Sequence, residues 1–485
     1  MNILQILKIL AILVIMIAVF MLIPALLSLL YDEEACFRAF GITIAVMLAV
    51  SIPVLVFGRQ DKKRVLSTKS SFLLVTLSWV TASLFGALPF FLSAAIPSFT
   101  DAFFETMSGF STTGASILTQ IESLPRSLLF WRSLTHWLGG MGIVVLTVAI
   151  LPLLGIGGLQ LLRAEAPGPT VDKITPRIAE TAKILWGIYL GFTVAEILLL
   201  MAGGMDWFDA ATHTFGTLAT GGFSPKNASV GHYNSGFIDA VITVFMLLAG
   251  INFTLHFRML TGKFRQIFLD TEFKVYISIF LIATAILTYD LFVNYPVYQS
   301  LGQSIRYAAF QAASILTTTG YATADFENWP FLSQTVLFFL MFIGGCSGST
   351  GGGIKVIRVL TLIKTGLNEM KYLIHPRGVF TLKIGNRPVK KDIAYAISGF
   401  FVIYIFMLLL VTVVVSTAEH DVLTSLTTAL VTVGNIGPGL GDIGPAENYA
   451  FYADYIKWFL CFAMLVGRLE LYTVLIIFTP VFWKK

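Results

Sequence analysis

Charged residues are scarce in this chain. Asp, Glu, Lys and Arg together make up 12% of its 485 residues, whereas hydrophobic residues make up 56%. A soluble protein carries about 25% charged residues, because its surface must face water. The shortage excludes an ordinary soluble protein and indicates that lipid is the main solvent of this chain.

Cysteine is equally rare, and familiar catalytic patterns are missing. Cys36, Cys346 and Cys461 lie far apart and form no CxxC pair. This spacing excludes a disulfide framework and a cysteine-based metal site, and the six histidines also lack the spacing of metal ligands. The sequence contains no HExxH or GxSxG motif. We therefore predict that the chain is not an enzyme, carries no organic cofactor and binds no nucleic acid.

Long apolar runs, in contrast, are abundant. A bilayer core needs roughly 20 apolar residues per helix, and ten stretches meet this need. The first is too long for the apolar region of a signal peptide and should be retained. We predict an all-α polytopic membrane protein with ten transmembrane helices, of which the eighth is interrupted: 3–30, 36–58, 71–98, 127–155, 180–204, 236–260, 273–294, 330–364, 392–416 and 451–481.

Basic residues are concentrated in alternate loops. Segments 59–69, 163–183, 258–274 and 355–391 contain most of the 32 lysines and arginines, and the last of them alone contains nine. Cytoplasmic loops of membrane proteins are enriched in Lys and Arg. We therefore predict that these loops and both termini are cytoplasmic, as an even number of spans requires.

Four loops on the opposite face share one pattern. Each contains an apolar stretch of about 10–14 residues, too short to span the membrane, and then a cluster rich in Gly and Thr. Such a stretch is typical of a re-entrant helix that lies against protein. The predicted pore helices are 101–111, 207–217, 304–315 and 423–433.

The clusters that follow these stretches align on one glycine each, namely Gly114, Gly221, Gly320 and Gly437. Repeats in membrane proteins commonly form a pathway at their shared axis. We therefore predict four pseudo-symmetric helix–pore-loop–helix repeats around one pore, preceded by two extra helices. The predicted boundaries are 1–70 for the extra helices and 71–160, 161–260, 261–375 and 376–485 for the repeats.

The residue types in the clusters suit a selectivity filter for a monovalent cation. Glycine tolerates the backbone angles that turn carbonyl oxygens toward an ion, and such carbonyls replace the hydration shell. Hydroxyls of Thr112 and Thr318 and the amide of Asn435 can add an inner level of oxygens, which Ala219 leaves incomplete. The candidate ion-binding residues are Thr112, Thr113, Gly114, Ala219, Thr220, Gly221, Thr318, Thr319, Gly320, Asn435, Ile436 and Gly437.

Acidic residues are absent from the filter positions, which argues against a divalent cation. Asp101, Glu105, Asp206 and Asp209 lie upstream, toward the predicted outer mouth. They either form a vestibule that concentrates cations or are ordinary first-turn charges and caps of the pore helices.

The cluster Thr318-Thr319-Gly320-Tyr321 resembles the T-V-G-Y-G filter of K⁺ channels. With Trp131-Arg132, the segment 137–142, the Gly-rich run 344–353 and Gly467-Arg468-Leu469-Glu470, the whole set resembles the Trk/Ktr/HKT superfamily of K⁺ transporters. The resemblance covers residues 71–481, and the two extra N-terminal helices indicate its TrkH/TrkG branch.

This resemblance implies K⁺ uptake through a gated, channel-like pore in the bacterial inner membrane, with K⁺ bound in the pore. It further implies a homodimer and a separate TrkA-like nucleotide-binding ring on the basic face. The alternative is a K⁺ symporter coupled to H⁺ or Na⁺, with Glu196, Asp239 and Asp290 as candidate relay residues.

One departure from a K⁺ channel filter concerns its outer end. The second glycine of G-Y-G is replaced in three of the four repeats, by Ser116, Phe223 and Ala322, and is kept only at Gly439. We therefore expect a distorted or absent outermost ion site and weaker selectivity than in a K⁺ channel.

The eighth apolar stretch contains a run in which no helix can persist, because each glycine costs about 1 kcal/mol. The run contains no Gly-Lys-Ser/Thr, which excludes a nucleotide phosphate loop. It is either a passive kink or a mobile gate, and we predict a gate that lies just inside the filter. Its residues are Gly344, Gly345, Cys346, Ser347, Gly348, Ser349, Thr350, Gly351, Gly352 and Gly353.

Arg468 lies within the last apolar stretch, where an arginine costs roughly 2.5–3.5 kcal/mol and usually faces a cavity or a partner. Glu470 is two residues on and does not share its helical face. Arg468 either forms a structural ion pair with another repeat or protrudes into the pore, where it acts with the gate as an electrostatic barrier.

Overall fold

The computed structural model describes residues 3–57, 67–142, 178–385 and 387–484. Helices dominate these ranges, and the only regular strands among them are two short antiparallel ones, β1 (Lys383–Ile384) and β2 (Arg387–Pro388). In chain order the helices are α1 (Ile3–Leu30), α2 (Glu34–Phe57), α3 (Thr68–Leu92), α4 (Phe99–Phe110), α5 (Arg126–Gly140), α6 (Ile178–Ala202), α7 (Trp207–Ala219), α8 (Gly236–Ala249), α9 (Phe253–Leu260), α10 (Arg265–Leu269), α11 (Thr271–Asn294), α12 (Leu301–Leu316), α13 (Phe331–Met341), α14 (Val356–Ile374), α15 (Lys391–Ser416), α16 (Val422–Gly434), α17 (Asp454–Arg468), α18 (Tyr472–Leu475) and α19 (Pro480–Trp483).

Six helices of the described ranges are long and apolar enough to cross a bilayer without a break, namely α1, α2, α3, α6, α11 and α15. Two further pairs of helices are apolar enough to cross a bilayer only when each pair is taken together, and both pairs are bent at the break between their helices. The prediction of an all-α polytopic membrane protein is confirmed. The predicted span 127–155 is described only as far as Gly142, and the predicted span 330–364 consists of α13 and α14 with an irregular loop between them.

The predictions of continuous spans at 236–260 and 451–481 were wrong. The chain bends by 102° between α8 and α9 and by 114° between α17 and the segment that starts with α18. At the first bend the side chain of Asn252 accepts a hydrogen bond from the Thr254 amide and starts a new helix. At the second bend Glu470 and Leu471 have positive φ angles of 56° and 53°.

The same three-helix arrangement occurs four times along the described chain. A long helix contacts a short buried helix, and the short helix contacts the helix that follows the Gly/Thr cluster. The short helices α7, α12 and α16 contain the predicted pore helices 207–217, 304–315 and 423–433, and α4 covers the predicted pore helix 101–111 except for its last residue. The third helix of each unit also packs on the short helix of the next unit, in the pairs α5–α7, α8–α12, α13–α16 and α17–α4.

Loops at one end of these units join in the same cyclic order. The four connections are Ile121 N to Asn227 Oδ1 (2.8 Å), Gly231 N to the Ala322 carbonyl (3.1 Å), Gly441 N to Glu327 Oε1 (2.5 Å) and Tyr449 N to the Ser116 carbonyl (2.8 Å). Glu327 is half-buried in this outer contact, and burial raises the pKa of its carboxyl group.

Basic segments meet at the other end. Lys69 Nζ donates to the carbonyl of Lys484 (2.6 Å), and Gly385 lies against the hydroxyl of Thr271. These contacts join the segment 59–69 to the end of the described chain and the segment 258–274 to the segment 355–391.

One carboxylate joins the turn between the two N-terminal helices to the first unit, in addition to the packing of α1 and α2 on α3 and of α1 on α5. Glu33, in the turn between α1 and α2, accepts hydrogen bonds from the Arg126 amide (2.6 Å) and the Ser127 amide (3.0 Å). These are free N–H groups of the first turn of α5, and a negative charge there is favourable.

Glu33→Ala is expected to destabilise the folded protein by about 1 kcal/mol, because α5 loses its only carboxylate cap among the described contacts. The measurement is the thermal midpoint in detergent. Glu34→Ala is the matched control, since the Glu34 side chain is 80% exposed and pairs only with the exposed Arg38. Equal midpoints for the two variants would contradict the assignment.

Candidate functional site

All four short helices end in one backbone conformation. A residue with left-handed angles ends or closely follows each helix, and a glycine with positive φ stands two residues later. The left-handed residues are Thr112, Thr220, Thr318 and Asn435, with φ of 55°, 54°, 60° and 54°, and the glycines are Gly114, Gly222, Gly320 and Gly437, with φ of 81°, 79°, 81° and 98°. In each case the residue between them donates its amide to the carbonyl five residues earlier (2.8–2.9 Å).

This pattern corrects the sequence alignment of the second repeat by one residue. The equivalent glycine is Gly222 rather than Gly221, so the segment comprises Thr220, Gly221 and Gly222, and Ala219 is the last residue of α7. Both glycines tolerate a positive φ, so the sequence alone does not distinguish them. The inner level therefore consists of three threonines and Asn435, without the gap that was expected at Ala219.

The four segments form a closed ring of backbone contacts. A Cβ atom added to the glycine of one segment would collide with a carbonyl oxygen of the next segment. The contacts run from Gly114 to the Gly221 carbonyl, from Gly222 to Thr319, from Gly320 to Ile436, and from Gly437 to Thr113, where the added atom would lie 2.8 Å from the oxygen. Glycine is required here because any side chain would push adjacent segments apart.

Side chains of the inner level differ in their partners. The Thr112 hydroxyl has no hydrogen-bond partner within the described ranges, whereas the Thr318 hydroxyl accepts the Gly352 amide (2.6 Å). The Asn435 amide group donates to Thr113 Oγ1 and to the Met464 carbonyl, both at 2.9 Å. These contacts tie the fourth segment to the first segment and to α17, while Asn435 Oδ1 has no hydrogen-bond partner within the described ranges.

Carbonyls at the outer end of the segments are largely occupied by protein donors. With the corrected alignment, Ser224 rather than Phe223 stands at the second-glycine position, beside Ser116, Ala322 and Gly439. The Ser116 carbonyl accepts Tyr449 N (2.8 Å), the Ser224 carbonyl accepts Arg132 Nη1 (3.0 Å) and the Ala322 carbonyl accepts Gly231 N (3.1 Å).

The four acidic residues upstream of the filter do not act alike. Glu105 is buried and binds Arg132 Nε at 2.6 Å, so the vestibule interpretation was wrong for this residue. Asp209 is also buried and lies 3.2 Å from Lys226 Nζ. Asp101 is partly exposed and pairs with Lys457 (2.6 Å), and Asp206 is exposed and caps α7.

The Gly-rich run 344–353 lies directly against the inner ends of the filter segments. Gly352 N donates to Thr318 Oγ1 (2.6 Å), and Gly353 N donates to the Gly434 carbonyl (2.9 Å). On the other side, Cys346 N donates to the Gly250 carbonyl at the bend between α8 and α9 (2.8 Å). The irregular backbone is thus satisfied by protein, as irregular structure in a membrane requires.

Arg468 connects this loop to the first repeat. Its Nη1 donates to the Thr350 carbonyl (2.8 Å), and its Nη2 donates to the carbonyls of Gly139 (2.7 Å) and Gly140 (3.1 Å). Glu470 instead pairs with Arg358 of α14. Arg468 therefore bridges the loop and the end of α5 through backbone carbonyls.

Glu272, which the sequence analysis missed, holds both ends of the loop. Its Oε1 accepts the Ser347 amide (2.7 Å) near the start of the loop and the Ile357 amide (3.1 Å) just after its end. A carboxylate at the start of an apolar helix resembles an ordinary first-turn charge, so the sequence holds no signal for this role.

The three carboxylates considered for a proton relay lie on three different helices. Asp239 pairs with Arg306 Nε (2.7 Å), and Asp290 accepts hydrogen bonds from the Ser333 hydroxyl (2.6 Å) and amide (3.0 Å). Glu196 is fully buried in α6, and neither of its oxygens has a hydrogen-bond partner within the described ranges.

Metal chemistry has no support in the described part of the chain, where no cluster of three His, Cys, Asp or Glu side chains could hold an ion. The three cysteines are buried and free.

His136 Nδ1 contacts the Gly109 carbonyl (2.7 Å), and His213 Nε2 contacts the Ser224 hydroxyl (3.0 Å), so both rings support the filter region.

The fold and the glycine ring define a multi-pass membrane transport protein. Residues 37–485 match the TrkH family of cation transport proteins, and the chain belongs to this family, which is a family of transporters rather than enzymes. The chain is 43% identical over 468 residues to the Trk system potassium uptake protein TrkH of Escherichia coli (strain K12), with 96% of each chain covered. It is 44% identical over 475 residues to the protein of the same name from Halomonas elongata, again with 96% of each covered.

A solved structure is similar over the whole length. The crystal structure of the potassium transporter TrkH from Vibrio parahaemolyticus superimposes with a TM-score of 0.89 at 39% sequence identity, and the match covers 100% of both chains.

Glu272→Gln is expected to loosen the loop, because the two amide contacts lose their charge and become ordinary hydrogen bonds, which are roughly half as strong. Hydrogen exchange at Ser347 and Ile357 should accelerate several-fold, with little change elsewhere. Glu369→Gln, in an exposed carboxylate of α14, is the matched control. Unchanged exchange at both amides would show that Glu272 does not hold the loop.

Proposed function

We propose that this protein mediates K⁺ uptake through a gated, channel-like pore at the axis of the four repeats. The observation that carries the proposal is the closed ring of backbone contacts between glycine segments, with the Gly-rich loop directly beneath it. The relatives named potassium uptake protein and potassium transporter support K⁺ as the cargo.

Electrostatics at the ring favours a cation. The short helices α4, α7, α12 and α16 all end at the inner side of the ring, so the partial negative charge of their carboxyl ends faces the same region. Carbonyl oxygens then take the place of water around a dehydrated ion. The occupied carbonyls of Ser116, Ser224 and Ala322 support a filter without its outermost site, and therefore a weaker preference for K⁺ over Na⁺ or Rb⁺.

The same proposal includes the orientation of the protein in the membrane and its partners. The basic end faces the cytoplasm of a bacterial cell, with both termini there and the protein in the inner membrane. We further propose a homodimer, a cytoplasmic TrkA-like nucleotide-binding ring as partner on the basic end, and no organic cofactor within this chain.

Gating is assigned to the loop 344–353 together with Arg468. The loop closes the inner end of the filter through bonds to Thr318 and Gly434, and Arg468 holds it at Thr350. Opening requires these bonds to exchange for others, which the many glycines of the loop allow.

Recording from the purified protein in a planar bilayer tests the proposal. We expect discrete currents whose reversal potentials favour K⁺ over Na⁺. A second candidate, symport with H⁺, is favoured by Glu196, whose carboxyl group is fully buried in α6. A silent bilayer combined with proton-driven Rb⁺ uptake into liposomes, lost in Glu196→Gln, would replace the channel with the symporter.

Arg468→Ala is expected to raise K⁺ flux several-fold, because the loop loses its anchor at Thr350 and the pore loses a positive charge. The measurement is Rb⁺ uptake into liposomes at equal protein content. Arg38→Ala, in an exposed pair on α2, serves as control. Unchanged or lower flux in a well-folded Arg468→Ala protein would contradict the role of Arg468 as a barrier.

A further inference from the structure

Phe223 stands at the tyrosine position of the second filter segment, one residue beyond Gly222. Its ring is enclosed between two side chains of α5, Arg132 and His136, which lie one helical turn apart. The Arg132 guanidinium carbon is 3.5 Å from the centroid of the Phe223 ring, and the His136 ring is stacked on the other side at 4.0 Å with an interplanar angle of 29°. Phe223 is 1% exposed.

Besides the Phe223 ring, Arg132 contacts a carboxylate and a backbone carbonyl. Its Nε binds Glu105 Oε1 at 2.6 Å, and its Nη1 donates to the Ser224 carbonyl at 3.0 Å. Glu105 in turn accepts the Ile117 amide (2.9 Å), which belongs to the chain that leaves the first filter segment. One buried ion pair thus joins the chain that follows the first segment to the chain that follows the second.

His136 extends this connection to the ring itself. Its Nδ1 contacts the Gly109 carbonyl of α4 at 2.7 Å, and a Cβ atom added to Gly221 would lie 2.6 Å from its ring. Gly221 provides the carbonyl that meets Gly114 in the closed ring. The position of His136 therefore bears directly on the contact between the first two segments.

The third segment is anchored by different chemistry. Tyr321, at the same position as Phe223, donates its hydroxyl to the carbonyls of His213 (2.9 Å) and Phe223 (3.1 Å). Phenylalanine has no hydroxyl, so stacking on a guanidinium and an imidazole takes the place of these hydrogen bonds. At the equivalent positions of the other two segments stand Ala115 and Pro438, which have no long side chain to anchor.

We propose that Arg132, Phe223 and His136 form an aromatic clamp that positions the second filter segment against the first and thereby sets ion selectivity. The three are positioning residues: they fix the separation of the carbonyls that would contact the ion. This inference rests on the proposed function, since it assigns a role within the same filter. A loosened clamp lets the ring relax around a smaller ion, so the preference for K⁺ over Na⁺ falls.

The test compares reversal potentials under K⁺/Na⁺ gradients for the full-length protein and two variants. Phe223→Leu removes both stacking faces, and Arg132→Lys keeps the charge beside Glu105 but loses the planar group. Each is expected to raise the permeability of Na⁺ relative to K⁺ about fivefold, the factor that a stacked contact of this kind supplies. Arg306→Lys is the matched control, because Arg306 pairs with Asp239 at 2.7 Å and lies over the Tyr307 ring, away from the filter segments.

The outcomes separate this inference from the function on which it rests. A wild-type protein without K⁺-favouring current overturns both. A K⁺-selective wild type whose two variants keep its thermal midpoint and its ion ratio overturns the clamp alone. Failure of both variants to fold also overturns it, because the three residues would then support the whole fold rather than ion choice. Altered ratios in both variants, with Arg306→Lys unchanged, support it.

Discussion

The fold depends on the contact between each filter glycine and a carbonyl of the next segment. Within a membrane every backbone polar group must find a partner, and non-helical backbone survives only against protein or enclosed water. Four segments in ring contact meet this demand while their carbonyls remain close to one axis. The packing of each third helix on the next short helix, and the outer loop contacts in the same order, hold that ring from outside.

The Gly-rich loop beneath the ring follows the same constraint. Its backbone is bonded to the third and fourth segments, to the bend after α8, to Glu272 and to Arg468. Most of these partners are backbone carbonyls or side chains from other repeats. The loop contributes its own backbone N–H and C=O groups to these hydrogen bonds, so its glycines need no side chain. A segment held by many modest hydrogen bonds can be released by exchanging them, which is the physical argument for the proposed gate.

The four segments share a backbone conformation but differ in what holds them. Tyr321 uses its hydroxyl, Phe223 uses its two faces, and the fourth segment is joined to the first through Asn435 and Tyr449. Repetition therefore determines the backbone of the four segments, whereas the side chains that hold each segment are not repeated. The carbonyls at the outer end of the segments show the same asymmetry. Arg132 donates to the carbonyl of Ser224, whereas backbone amides donate to the carbonyls of Ser116 and Ala322.

The amino-acid sequence by itself determined the membrane class, the short helices, the glycine clusters and the broken eighth stretch, because these depend on hydropathy, length and glycine content along a continuous segment. Only the tertiary structure decided that Gly222 rather than Gly221 is the equivalent glycine, that Glu105 is buried against Arg132, that Glu272 holds the loop, and that α8 and α17 end in sharp bends. The contacts of Glu105 and Glu272 join residues far apart in the chain, and a pattern within one segment carries no information about the partner it will meet. The equivalent glycine and the two bends depend on backbone angles that hydropathy and glycine content do not specify.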